Sequence, residues 1–271
     1  MTASPAARTT EALANALGVT PARLRWATRS LRIDSTRYDH FRIAKASGGF
    51  RQIAAPRWAL KLVQRRVVDR ILSTMPVSHS AHGFVRGGSI ATNARLHAGA
   101  ALVLTMDLTD FFPSVSWRRA RNVLRRAGYT ACLATMLGRV GADAERERTP
   151  DGFIATTDAR LVQGAPTSPA VTNLVCRPLD RALRRLAAER GAVYSRYADD
   201  LTFSWARTPT KRSTKQFQRD VRRIVSRCGF RVNQAKTRVM HRGVRQSVTG
   251  LVVNTQANVH RARIRKIRAM M

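Results

Sequence analysis

Two adjacent carboxylates, Asp199 and Asp200, follow Tyr197-Ala198 between two strand-like runs, Val193-Tyr194-Ser195-Arg196 and Leu201-Thr202-Phe203-Ser204-Trp205. The pattern predicts a hairpin with both acids at its tip. Neighbouring ionised carboxylates repel each other, so the pair is costly unless a divalent cation compensates it, and hard oxygen donors favour magnesium or manganese. Aspartate is also a common turn former, and taken alone the pair fits an ordinary polar turn better. A third acid changes the balance. Ala101-Leu102-Val103-Leu104-Thr105-Met106 is a near-continuous apolar run, suited to a strand buried on both faces, and it delivers Asp107 at its end. Adjacent strands of one sheet would bring Asp107 to Asp199 and Asp200. Three carboxylates around two divalent ions suit nucleotidyl transfer: one ion activates a 3′-hydroxyl, the other neutralises the triphosphate and the leaving pyrophosphate.

The chain has 271 residues, 44% of them hydrophobic, enough for a real core in one large or two modest domains. Lys and Arg total 49 against 16 acids, and the net charge of +33 is far beyond what solubility requires. The cations run along the whole chain rather than forming a tail, which implies a folded protein with a broad phosphate-facing surface. Cys132, Cys176 and Cys228 are isolated and lack metal-ligand spacing, so neither a disulfide framework nor a zinc module is indicated. His79 and His82 have no Cys or second His pair near them. No apolar run approaches the ~20 residues of a membrane span, and the N-terminus has no signal-peptide core. A cytoplasmic location is expected.

The elements that must position the acids follow from periodicity and punctuation. The N-terminal stretch reads as one or two short helices broken near Gly18 and Pro21, and Phe41-Arg42-Ile43 with Phe50-Arg51-Gln52-Ile53 reads as a hairpin around Ser47-Gly48-Gly49. Pro56 precedes an amphipathic helix with Leu60, Val63, Val67, Ile71 and Met75 on one face, ended by Pro76. A helix is predicted from about Ser116 to Ala127, and another from about Ser168 to Arg190 with a kink at Pro178. A basic linker from Arg207 to Lys215 leads to a helix with Phe217, Val221, Ile224, Val225 and Cys228 on one face. Arg231-Val232-Asn233 and Val248-Thr249-Gly250-Leu251-Val252-Val253 read as the last two strands. This order predicts an α+β fold, a mostly antiparallel sheet with helices on one face.

The ordered blocks resemble the reverse transcriptases, and more narrowly the bacterial retron type, over roughly residues 40 to 260. Phe50-Arg51-Gln52-Ile53 is similar to the fingers block, which implies that Arg51 contacts the incoming triphosphate. Asp107-Leu108-Thr109-Asp110-Phe111-Phe112-Pro113-Ser114 is similar to the first catalytic block. The resemblance makes Asp107 a metal ligand, lets the Leu108 carbonyl assist, and makes Phe112 the gate against a ribose 2′-hydroxyl. Asp110 is left out of the metal set. Gln163-Gly164-Ala165-Pro166-Thr167-Ser168-Pro169 resembles the block against the template and incoming nucleotide, in which Gly164 permits close backbone approach. Tyr197-Ala198-Asp199-Asp200 matches the catalytic turn, and Lys236 corresponds to a lysine that protonates pyrophosphate. Asn93-Ala94-Arg95-Leu96-His97 and Val248-Thr249-Gly250 match two retron hallmarks and assign Asn93, His97, Val248, Thr249 and Gly250 to RNA recognition.

The resemblance implies a right-hand polymerase fold: an N-terminal helical segment (1–37), fingers (38–100), a ferredoxin-like palm (101–257, including finger residues 128–162), and the start of a basic thumb helix (258–271). The thumb is expected to be largely absent or truncated. It further implies two Mg2+ ions, with Mn2+ as a substitute, deoxynucleoside triphosphates, and a cognate structured noncoding RNA serving as template and as primer through a 2′-hydroxyl. The product is an RNA–DNA hybrid, and a separate effector in antiphage defence belongs to the same picture. Two alternatives stay open: a group II intron or diversity-generating enzyme, and a non-catalytic RNA-binding protein with a polymerase fold, for which the charge alone would suffice.

Overall fold

In the computed structural model, which describes residues 7–29, 37–44, 48–144, 146–149, 152–155, 157–259, 265 and 268–270, the apolar run forms strand β1 (Leu102–Leu108) at the centre of a sheet. Two compact units divide the chain, Met1–Pro76 with Phe112–Val175, and Val77–Phe111 with Cys176–Met271. The second unit holds all three acids. Its helix α1 (Ile90–Arg95) precedes β1, and after it come α2 (Arg177–Glu189), β2 (Val193–Tyr197), β3 (Asp200–Trp205), α3 (Lys211–Arg227) and β4 (Val232–His241). The sheet order is β4-β1-β3-β2, antiparallel throughout.

Strand alternation sorts the side chains. Directly paired residues share a face, so Leu104, Met106, Leu201, Phe203, Tyr194 and Arg196 point one way, and Val103, Thr105, Asp107, Asp200, Ser204 and Ser195 the other. On the first face Phe203 stacks on Tyr194 and meets the edge of Phe217 from α3, each at 5.0 Å between ring centroids. Helix α2 packs on β2 and on α3 there. On the second face, Val103 joins Ala94, Ala100, Met240, Val248 and Val253 in a buried apolar cluster. That cluster covers only one end of the face. The acids emerge at the other end.

The first unit contains the finger hairpin, Tyr38–Ala44 paired with Phe50–Pro56, and helices Thr10–Leu17, Pro21–Thr28, Trp58–Arg70, Trp117–Arg126, Ala131–Arg139 and Thr167–Val175. The Gln64 amide donates to the Val140 carbonyl (2.7 Å) and the Tyr38 hydroxyl (2.9 Å), joining hairpin and helices inside this unit. The loop before Thr167–Val175 is tied to the hairpin, because Ala54 N–H donates to the Gln163 carbonyl at 2.9 Å. Gly164 has φ +124°, and a Cβ there would stand 2.6 Å from the Ala54 carbonyl oxygen. The hairpin backbone therefore approaches Gly164 closely.

Several elements differ from the sequence reading. Pro178 does not kink one long helix; Cys176 separates two, and the proline occupies the first turn of the second, where its missing N–H costs nothing. The stretch from Lys211 is not linker, since Thr210 caps the Ser213 N–H and α3 starts at once. Val248–Val253 is not one strand but a miniature hairpin, Ser247–Val248 paired with Leu251–Val252, because Thr249 and Gly250 turn the chain with φ of 48° and 83°. Residues 77–100, expected with the fingers, cluster with the sheet that carries the acids. The basic helix expected at 258–271 lies mostly outside the described residues.

Two glycines separate backbone strain from crowding. Gly191 also has positive φ (63°) but nothing within 4 Å of its absent Cβ. Gly164→Ala is expected to destabilise the protein by at least about 1 kcal/mol more than Gly191→Ala, read from chemical denaturation midpoints.

Candidate active site

The register of the sheet places Asp107 of β1 directly opposite Asp200 of β3. Asp199 stands between β2 and β3 in the turn, where Ala198 has a left-handed φ of 55° and the Leu108 N–H donates to the Asp199 carbonyl at 3.0 Å. On the other side of β1, Asn233 of β4 pairs with Asp107, but the next pair is Arg238 with Thr105. The extra residues of β4 form a bulge, and bulges re-aim side chains. Lys236 lies in this one, and its Nζ donates to both Asp107 oxygens at 3.1 Å. Burial, then the charges of Asp199 and Asp107, push the Asp200 carboxyl up to about 6, with Lys236 opposing them. The three acids thus lie within one another's field.

In the block containing Asn93 and His97 these two side chains turn inward, whereas Arg95 and Leu96 between them are exposed. Asn93 and His97 are fully buried, as is Val248. They support the hairpin from the sheet face that also carries Asp107 and Asp200. Ser195 donates to Asn93 Oδ1 at 2.6 Å, so its oxygen accepts from His97 Nε2 at 2.7 Å, and His97 Nδ1 is left to accept from Ser204 at 2.7 Å. A neutral imidazole satisfies this relay. Burial, reinforced by His82, lowers the His97 pKa to about 4. Thr249 does reach the same block: its hydroxyl donates to the Ile90 carbonyl at 3.1 Å, and Gly250 beside it is exposed. The two sequence hallmarks form one packed body.

Arg51, Phe112, Gln163 and Gly164 belong to the first unit. Arg51 is exposed on the finger hairpin, and Phe112 is half-buried. Gln163 lines a cavity of about 460 Å³ with Gln52, His40, Asp143, Asp158 and Arg160. The Leu108 side chain is buried in the core of the second unit.

Among the described residues, no three His, Cys, Asp or Glu side chains converge as a ready-made ion cage. The donor set nevertheless fits a divalent cation. It consists of hard carboxylate oxygens; burial and mutual repulsion raise Asp200, and Lys236 supplies a counter-charge to them.

Sequence reasoning missed the residues that hold the turn. Gly83 is one: a Cβ there would lie 2.6 Å from the Ala198 nitrogen, so the loop after His82 packs on the turn backbone. Ser195 and Ser204 are others, visible in sequence only as small polar residues inside the strands. Asp180 and Arg196 form a fully buried ion pair; the only signal for it is an acid and a base on faces that periodicity turns inward.

Residues 43–260 match the family model described as reverse transcriptase (RNA-dependent DNA polymerase). The chain is 43% identical to the Retron Mx162 reverse transcriptase of Myxococcus xanthus, over 96% of this chain and 57% of that protein. It is 42% identical to the Retron Mx65 reverse transcriptase of the same organism, over 98% of this chain and 63% of that protein. It therefore spans about three fifths of the length of these relatives. Among solved structures, telomerase from Candida tropicalis in complex with a telomeric RNA fragment aligns at a TM-score of 0.57 and 12% identity, over 83% of this chain and 45% of that one. At that identity the likeness concerns the fold.

Two titrations test the electrostatics. His97 binds its proton less readily folded than unfolded, so stability present above about 6.5 is lost as pH falls towards 4. The loss amounts to roughly 3 kcal/mol, and His97→Gln should flatten this part of the curve of denaturation free energy against pH. Asp200 has the opposite sign: its proton is held more tightly folded, so ionising it costs stability as pH rises through about 6. Asp200→Asn should raise stability at pH 7 by on the order of 2 kcal/mol, with the gap closing below pH 4.

Proposed function

The chain belongs to the reverse transcriptase family, in its bacterial retron branch, and from that premise we propose that it copies a structured RNA into single-stranded DNA. The observation that carries this reading is the pairing of Asp107 with Asp200 beside Asp199, with Lys236 brought onto Asp107 by the bulge. Asp107, Asp199 and Asp200 would hold the Mg2+ ions, which Mn2+ can replace. Bound there, the metal supplies charge neutralisation of the triphosphate and activation of the attacking hydroxyl.

The remaining work falls to the chain's own groups. Lys236, whose exposed side chain brings its ammonium to Asp107, would neutralise and protonate a departing pyrophosphate oxygen. Arg51, at the exposed hairpin, binds the triphosphate; Gln163 and Gly164 lie against the template and nucleotide; Phe112 rejects a ribose 2′-hydroxyl. The charge of +33 supports a nucleic-acid partner along much of the surface. That partner is a cognate noncoding RNA that serves as template and, through a 2′-hydroxyl, as primer, and the complex acts in antiphage defence with a separate effector.

Template-directed incorporation of deoxynucleotides on an RNA template with Mg2+ tests the assignment. The Asp199→Asn/Asp200→Asn variant should lose roughly a thousandfold or more in rate, and equal incorporation by both proteins would sink it. RNA copurifying with the chain should be short and joined to DNA; an intron RNA would place the chain among other reverse transcriptases.

A further inference from the structure

The acids perform their chemistry from a turn whose own conformation is unfavourable. Ala198 has φ 55°, a region that Cβ sterics disfavour. Its carbonyl accepts from Arg196 Nη1 at 3.0 Å. The same guanidinium is gripped in a fork by Asp180 of α2, Nε to Oδ1 and Nη2 to Oδ2, both at 2.8 Å. The Tyr194 hydroxyl also donates to Asp180 Oδ1, at 2.8 Å.

Both charged side chains are 0% exposed. A buried ion pair is a poor way to gain stability, since an apolar pair of similar volume does as well or better. What an apolar pair lacks is a third, oriented donor. Arginine has a rigid fork with further N–H groups beyond the two that face the carboxylate, whereas lysine has a single nitrogen. Arg196 lies on the sheet face opposite Asp107 and Asp200, so it does not compete for the substrate side of the site.

We propose that Asp180 and Arg196 are positioning residues of the active site: Asp180 orients the guanidinium, and the guanidinium fixes the Ala198 carbonyl and with it the left-handed peptide that aims Asp199 and Asp200. The inference rests on the polymerase reading of those acids.

The test uses the full chain with a primed RNA template. Asp180→Leu/Arg196→Met replaces the pair by apolar side chains, removing the anchor without leaving a lone buried charge. It should remain folded, with its thermal midpoint lowered by the buried Tyr194 hydroxyl left without its acceptor, while kcat falls roughly ten- to a hundredfold with KM for the nucleotide little changed. The Mg2+ concentration for half-maximal activity should rise. An unchanged kcat and Mg2+ requirement in a folded double variant would overturn the proposal. If the double variant does not fold, Arg196→Lys decides: it keeps the charge beside Asp180 but loses the fork, so a tenfold or greater loss of kcat supports the proposal and wild-type kcat overturns it. If the wild type incorporates no nucleotide, the polymerase reading has failed separately. The anchor is then judged by Mn2+ binding in paramagnetic resonance titrations, where weaker binding by the variant upholds it and equal binding overturns it.

Discussion

Mutual repulsion of three carboxylates at one end of a sheet is the constraint around which the second unit is organised. Asp107 and Asp200 are cross-strand partners, an arrangement in which like charges destabilise, and burial, then the charges of Asp199 and Asp107, hold the Asp200 carboxyl above its ordinary value. A fold that only minimised its free energy would not place acids there. The cost is borne because the surrounding backbone is over-determined. The β2–β3 hairpin is held on one face by Asn93 and His97 through Ser195 and Ser204, and on the other by Asp180 through Tyr194 and Arg196. The alternation of the strands makes this two-sided grip possible.

Backbone strain gathers in the same unit. Among the described residues, the non-glycine positions with positive φ are Phe84, Asp110, Ala198 and Thr249, and the last three fall in blocks that the sequence marks out for function. Such conformations persist only where neighbours enforce them. Ala198 is held by the Arg196 guanidinium and closely approached by Gly83; Thr249 is tied by its hydroxyl to the Ile90 carbonyl. Lys236 is delivered by a related device, a bulge that breaks the register of β4. Local irregularity, set on a regular sheet, aims the acids and Lys236.

Much of this was legible in the sequence because it rests on local rules. The β2–β3 hairpin, the buried strand ending at Asp107 and the amphipathic helices all follow from periodicity, and the acids follow from their place at strand ends. What was not legible depends on partners distant in sequence. Nothing near Asn93 or His97 announces that their partners are serines on β2 and β3, so exposed recognition residues and buried braces look alike. Asp180 and Arg196 read as one more acid and one more arginine in a chain rich in the latter. Pro178 illustrates the local limit: a proline inside a long helical pattern is consistent with a kink or with the start of a new helix, and tertiary packing selects between them.

The central claim is that Asp107, Asp199 and Asp200, held by this framework, form the metal-binding centre of a polymerase. Crystals soaked in Mn2+ with a primed template and a nucleotide, measured by anomalous scattering, address it most directly. The account predicts anomalous peaks among the three carboxylates, with Lys236 released from Asp107 towards the phosphates. Lys236 still on Asp107, with no peak within coordinating distance of the acids, would contradict it.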